Sequence, residues 1–170
     1  MGNISFNIPE SLDKTWEKEL LKSYFLGGPD SMPFFSNVSK NKNILSLKKE
    51  EHDSCFLTIP WNIGNHGIFM SPTSTLPLSD SPYSLIMELA RGKVNQFRNF
   101  NADWEFSGLK INQDLRDQLA KSTLEFGKAF SNNDLSQQEK SLQNAIEFAY
   151  RGSDTLIREY IRQIFDIRHQ

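Results

Sequence analysis

Residues 82–104 read PYSLIMELARGKVNQFRNFNADW, and their apolar side chains recur every three or four positions. This spacing predicts one helix that carries a continuous apolar stripe about five turns long. The preceding Asp80-Ser81-Pro82 places a capping side chain before a proline, which is typical of a helix start. Gly108 follows the stripe and predicts its end.

The chain after this helix keeps a helical pattern. A second helix is predicted from about Asn112, and it breaks at Ser131-Asn132-Asn133-Asp134. A third helix is predicted to start at Ser136, where Ser136 and Glu139 match the S-x-x-E capping box. Gly152 lies inside this third pattern and is expected to kink or divide the helix.

In residues 1–80 the apolar runs are shorter, and turn-forming residues separate them. A strand is predicted at Ile4–Ile8, and a helix from Glu10 to Phe25, where apolar residues recur every four positions. Alternating or β-branched runs between turn residues predict five further short strands, and their close spacing favours antiparallel pairing. These runs are Phe34–Val38, Ile44–Lys48, Cys55–Ile59, Gly67–Ser71 and Thr73–Leu78.

The two patterns together predict an α+β fold. Residues 1–80 form an antiparallel sheet of five or six strands, with a sandwich as one arrangement, and one N-terminal helix. Residues 81–170 form a three-helix unit that shares one core with the first half. The helix over 86–104 is expected to bridge the two halves.

Composition narrows the classes of function. The chain has 170 residues, of which 38% are hydrophobic and 24% charged, with a net charge of −2. The absence of a basic stripe argues against nucleic-acid binding, and no apolar run approaches the roughly 20 residues that span a membrane. The N-terminus lacks the pattern of a signal peptide, and no compartment is predicted. The single cysteine, Cys55, and three scattered histidines predict no metal site and no cofactor.

Polar side chains run along one side of the predicted helix over 86–104. Glu88, Arg91, Asn95 and Arg98 follow the helical repeat, and Glu88 can pair with Arg91. One interpretation is a solvated face or a polar network that holds the helix to the sheet. The other is a saccharide site, in which these groups bind hydroxyls.

Two tryptophans belong to the second interpretation. Trp61, in a turn-rich loop, and Trp104, at the end of the helix, would stack on the apolar face of a sugar. A buried Trp61 that covers the sheet edge is the alternative. Gly92, in the middle of the helix, indicates close packing by another backbone.

No catalytic constellation occurs in the sequence. The nucleophile motif G-x-S-x-G and the phosphate-binding motifs G-x-x-x-x-G-K-[ST] and G-x-G-x-x-G are all absent. The chain itself is therefore predicted not to be an enzyme.

Several segments carry a family resemblance in one order along the chain. They are Gly27-Gly28-Pro29-Asp30, Pro60-Trp61, Pro82-Tyr83-Ser84-Leu85, Glu88-Leu89-Ala90-Arg91-Gly92 and Ile167-Arg168-His169-Gln170. This order resembles the N-terminal region that precedes the catalytic barrel in some bacterial glycoside hydrolase family 10 proteins, the xylanase-type enzymes. The resemblance implies a non-catalytic accessory module, with a polysaccharide or oligosaccharide and a C-terminal catalytic domain as partners. The barrel itself needs about 250 residues, so no catalytic residue is assigned to this chain.

A structural or dimerisation module without a ligand is the alternative function. The apolar pattern of Ile157, Ile161, Ile164 and Phe165 is still running near the last residue. It predicts that the chain continues into another domain, that a C-terminal helix docks on the same chain, or that a homodimer forms.

Overall fold

The computed structural model describes residues 2–12, 16–27, 31–34, 36–49 and 54–169, and it confirms the α+β class. Eight strands occur in the described residues, namely β1 (Gly2–Asn7), β2 (Tyr24–Gly27), β3 (Met32–Phe34), β4 (Ser36–Asn41), β5 (Ile44–Lys49), β6 (Cys55–Asn62), β7 (Ile68–Pro72) and β8 (Tyr83–Ser84). The helices are α1 (Leu85–Phe106), α2 (Gln113–Ser131) and α3 (Leu135–Arg168). None of them, over the described residues, combines the length and apolarity needed to cross a membrane.

The strands form two sheets of four rather than one sheet of five or six. The strand orders are β4-β5-β1-β8 and β3-β2-β6-β7. Every pairing is antiparallel except β1 with β8, where Phe6 lies opposite Tyr83. Parallel strands need a long connection, and most of the N-terminal half lies between β1 and β8. The predicted strand Thr73–Leu78 is reduced to a single bridge between Leu76 and Cys55.

The start of α1 differs from the prediction because β8 pairs with β1. Tyr83 and Ser84 pair with β1, so the helix begins at Leu85, after Pro82 rather than at it. Its end agrees with the sequence, since Gly108 adopts a positive φ of 101° in the turn that follows.

The predicted helix from Glu10 to Phe25 is wrong. The described part of this segment contains turns, a 3₁₀ helix at Glu19–Lys22 and then strand β2, while residues 13–15 lie outside the described residues. Phe25 is fully buried in β2, opposite Leu57 of β6. The pairing of β2 with β6 therefore outweighs the helical tendency of the local four-residue spacing.

One buried cluster unites strands of both sheets with α1 and α3. Ile4 and Phe6 of β1 alternate with outward-facing residues, as the sequence predicts for this strand. The cluster also contains Leu57 and Ile59 of β6, and Leu89 of α1.

A second cluster lies among the three helices. Its largest member is Phe97 of α1, whose ring packs on Gly152 of α3. A Cβ atom added at Gly152 would lie 2.3 Å from Cζ of that ring. The prediction that Gly152 divides the third helix is wrong, because the 34-residue α3 is continuous through it, and a kink at Gly152 stays a prediction. Gly152 instead makes room for an aromatic ring.

The predicted close packing at Gly92 is confirmed. A Cβ atom added there would lie 2.4 Å from the carbonyl carbon of Thr73 and 2.5 Å from the carbonyl oxygen of Pro72. The backbone that follows β7 thus lies directly against α1.

Candidate functional site

The six residues predicted to bind a ligand do not surround one cavity. The structure places them at the end of β6, along α1 and near the C-terminal end of α1; they are Trp61, Glu88, Arg91, Asn95, Arg98 and Trp104.

Glu88 holds α1 to the segment after β7. Glu88 is 3% exposed, and its Oε2 accepts a hydrogen bond from the Ser74 hydroxyl at 3.3 Å. The predicted ion pair with Arg91 is confirmed, with 3.2 Å between Arg91 Nη1 and Glu88 Oε2. Burial raises the pKa of the Glu88 carboxyl, while Arg91 and Ser74 act in the opposite direction. Asn95 and Arg98 are exposed further along the helix.

Trp104 belongs to an aromatic group at the far end of α1. Its ring centroid lies 6.3 Å from that of Phe100 and 5.0 Å from that of Tyr160 on α3. The ring is half-buried, so Trp104 serves the contact between α1 and α3.

Trp61 lies against a cavity of about 460 Å³, which we call the Trp16–Trp61 cavity. The segment after β1, the end of β6, the start of α1 and the first half of α3 enclose it. Its lining residues are Pro9, Ser11, Leu12, Trp16, Trp61, Asn62, Gly64, Ile86, Ser136, Glu139, Lys140, Gln143, Asn144 and Glu147.

Trp61 itself is buried rather than exposed, with 3% of its surface accessible. Its indole Nε1 donates a hydrogen bond to Gln143 Oε1 at 3.0 Å. A buried indole with a satisfied N–H forms a fixed wall, so Trp61 is not a free stacking platform.

The first half of α3 supplies the polar side of the cavity. Glu139, Gln143 and Glu147 lie four residues apart, and so do Lys140 and Asn144. Residues four apart project from the same side of a helix, with a rise of about 6 Å for each step. Two carboxylate, two amide and one ammonium side chains of α3 therefore line the same space.

Gln143 is the most constrained of these side chains. Besides accepting from Trp61, its Nε2 donates to the backbone oxygen of Asn62 at 3.0 Å and to Glu147 Oε1 at 2.9 Å. Three hydrogen bonds fix the amide, and this network joins β6 to α3.

Glu139 ties the segment after β1 to α3. Its carboxylate is buried and accepts hydrogen bonds from the backbone N–H groups of Glu10, at 3.2 Å, and Ser11, at 3.0 Å. The capping box predicted for Ser136 and Glu139 is wrong. Asp134 caps α3, with its Oδ1 accepting from the Ser136 N–H at 2.9 Å.

We expect the substitution Glu139→Gln to lower the free energy of unfolding by about 2 kcal/mol, because hydrogen bonds to a charged acceptor are lost. An amide also presents a donor to one of two backbone N–H groups that need acceptors. Urea denaturation would measure the change. Glu105→Gln is the control, since its ion pair with Arg116 is exposed and is expected to contribute less than about 1 kcal/mol. Equal effects of the two substitutions would contradict this role for Glu139.

Trp16 also lines the cavity, and it is partly accessible. Its ring packs against the main core cluster, and its Nε1 is buried without a hydrogen-bond partner among the described residues. A buried indole N–H normally has a partner. The N–H itself is not accessible from the cavity, so Trp16 presents its ring rather than a hydrogen-bond donor to this space.

A separate polar cluster surrounds Lys93 of α1. Lys93 is 7% exposed, and its Nζ lies 4.0 Å from the centroid of the Tyr150 ring and 3.0 Å from Gln96 Oε1. Burial lowers the pKa of Lys93 to about 8. The Tyr150 hydroxyl is 2.8 Å from Ser71 Oγ, and burial raises its pKa. None of these four residues lines the Trp16–Trp61 cavity.

Within the described residues there is no group of three or more His, Cys, Asp or Glu side chains that could hold a metal ion. Comparison of the chain with protein-family models, with curated proteins and with solved structures finds no match. The resemblance to the region before family 10 barrels therefore stays a prediction.

Most residues of the cavity were not predicted from the sequence. Trp61 is the exception. The four-residue repeat of Glu139, Gln143 and Glu147 is the signal that indicates a polar face on α3. No local pattern brings that face to the same cavity as Trp16.

Proposed function

We propose that the chain is a non-catalytic saccharide-binding module of a polysaccharide-degrading protein, and that the saccharide binds in the Trp16–Trp61 cavity. The observation that supports this function best is that the partly accessible ring of Trp16 shares one space with amide, carboxylate and ammonium side chains, with the buried Trp61 as a fixed wall. Sugars offer apolar C–H faces and many hydroxyls, and this combination of side chains matches both.

The dimensions and donors of the cavity favour a small carbohydrate segment. Its volume of about 460 Å³ lies within the range of about 300–1,000 Å³ that is usual for small-ligand sites. Trp16 offers a partly accessible ring and Lys140 offers an exposed ammonium group, while the Asn144 amide already donates to Glu125 Oε2 at 3.3 Å. Gln143 and Trp61 are already bonded to each other, and they fix the shape of the site.

The positions of the two carboxylates favour binding over hydrolysis. Glu139 and Glu147 lie eight residues apart on one helix, which is about 12 Å along its axis. Glycosidase pairs face each other across the bond to be cleaved at about 5–9.5 Å. Glu139 is also occupied by two backbone N–H groups.

Titration with xylohexaose and cellohexaose should change the tryptophan fluorescence of the protein in a saturable way. Trp16→Ala should weaken binding at least about fivefold, equal to about 1 kcal/mol, because a stacking surface is removed. Trp16→Phe should retain part of the affinity, since it keeps an aromatic ring of smaller area.

Trp104→Phe is the matched control. Trp104 lies outside the cavity, so this substitution should leave the affinity unchanged. A flat titration with both oligosaccharides would reject saccharide binding. An equal loss of affinity in the Trp16 and Trp104 variants would reject the assigned location.

A further inference from the structure

The second half of α3 exposes large apolar side chains on one side. Ile157, Ile161 and Phe165 are 49%, 60% and 61% exposed, and their four-residue spacing aligns them; we call them the distal stripe. Tyr160 and Phe100, each 44% exposed, extend the apolar surface toward α1. Contiguous apolar patches on a protein surface are typical of an interaction site.

We propose that the distal stripe is the contact between two copies of this chain, with their α3 helices packed antiparallel about a twofold axis at Ile161. A twofold contact uses the same surface on both copies. Ile161 then meets the partner's Ile161, and Ile157 meets the partner's Phe165. The distal stripe can pack against its own copy in this register, because Ile157 and Phe165 each lie four residues from Ile161.

Charges at the two ends of the stripe favour the antiparallel copy over other occupants. Asp154 and Arg168 each lie seven residues from Ile161, which is close to two helical turns, so both lie near the same side of α3. Antiparallel packing places Asp154 opposite the partner's Arg168 at both ends of the contact. Parallel packing would place like charges together. A uniformly acidic or basic partner would match only one end.

The other charges on this half of α3 do not oppose the contact. Arg162 pairs with Glu159 at 2.7 Å and with Asp166 at 3.4 Å, all within the helix. Arg158 pairs with Asp154 at 2.8 Å. Such pairs can remain at a solvated rim while the apolar residues are buried.

Light scattering over a range of concentrations tests the proposal directly. We expect a reversible shift from monomer to dimer as concentration rises. Asp154→Arg should weaken the dimer about tenfold, because two attractive pairs become repulsive. The double variant Asp154→Arg with Arg168→Asp should restore it, since the pairs are re-formed with exchanged signs.

Cysteine crosslinking tests the position of the axis. Ile161→Cys should give a covalent dimer under mild oxidation, because the axis brings the two thiols together. The native Cys55 is 1% exposed, so it does not compete. Ala120→Cys, at an exposed position of α2, is the control and should remain monomeric.

A chain that stays monomeric at every concentration overturns the proposal. So does equal crosslinking of the two cysteine variants, or a double charge variant that remains as weak as Asp154→Arg. Oligosaccharide binding is measured separately on the same samples, since neither residue 154, 161 nor 168 lines the Trp16–Trp61 cavity.

Discussion

Replacing Gly92 with alanine is expected to lower the free energy of unfolding by roughly 3 kcal/mol or more. The added Cβ would lie within 2.6 Å of three backbone atoms, in Pro72, Thr73 and Ser74. Backbone cannot move aside as the end of a side chain can, so α1 has to shift away from the segment after β7. The loss is large beside a typical total stability of about 5–15 kcal/mol.

Gly127→Ala is the matched control. Gly127 also lies in a helix, but a Cβ atom added there meets nothing within 4 Å. Alanine has the higher helix propensity, so this variant should gain about 0.5–1 kcal/mol. Thermal and urea denaturation of the two variants would give opposite signs. A neutral Gly92→Ala would contradict the close packing of α1 on the strand segment.

The stability of the protein is expected to rise by about 2 kcal/mol between about pH 7 and pH 9.5 because of Lys93. Burial lowers the pKa of Lys93 from 10.5 to about 8. In the window between those values the unfolded chain holds the proton and the folded chain has lost it. Raising the pH therefore removes a penalty that the folded state carries when Lys93 is charged.

Lys93→Met is the control for this pH dependence. Methionine has a similar length and no charge, so the rise with pH should flatten and stability at pH 7 should increase. Loss of the contact between the Lys93 ammonium and the Tyr150 ring offsets part of that gain. The raised pKa of Tyr150 acts with the opposite sign above pH 10.0, where the unfolded chain ionises first. If the stability of the unsubstituted protein and of Lys93→Met rose equally with pH, Lys93 would not be the cause of the rise.

The long helices of the chain are predictable from its sequence, and the short elements of the N-terminal half are less so. The stripe over residues 82–104 predicted α1, and Gly92 indicated its close packing, because both depend on local geometry. The segment around Phe25 continues a helical repeat, yet it forms strand β2. Its pairing with Leu57, across more than thirty positions, decides the outcome and leaves no local signal.

The candidate site shows the same limit. A tryptophan after a strand was recognisable in Trp61, but its partner Gln143 lies 82 positions away. Glu139 matched a capping motif locally, yet it binds the backbone of Glu10 and Ser11 at the other end of the chain. Asp134, two residues before Ser136, already performs the capping.

The length of α3 has a consequence for polymeric ligands. Gln143 and Ile161 are 18 positions apart on one continuous helix, or about 27 Å. In the proposed dimer the two cavities would face opposite ends of the assembly, about 50 Å apart by the same rise per residue. A polysaccharide long enough to reach both would gain avidity that a hexasaccharide cannot, and disrupting the helix pair would abolish that gain while leaving short-chain affinity intact.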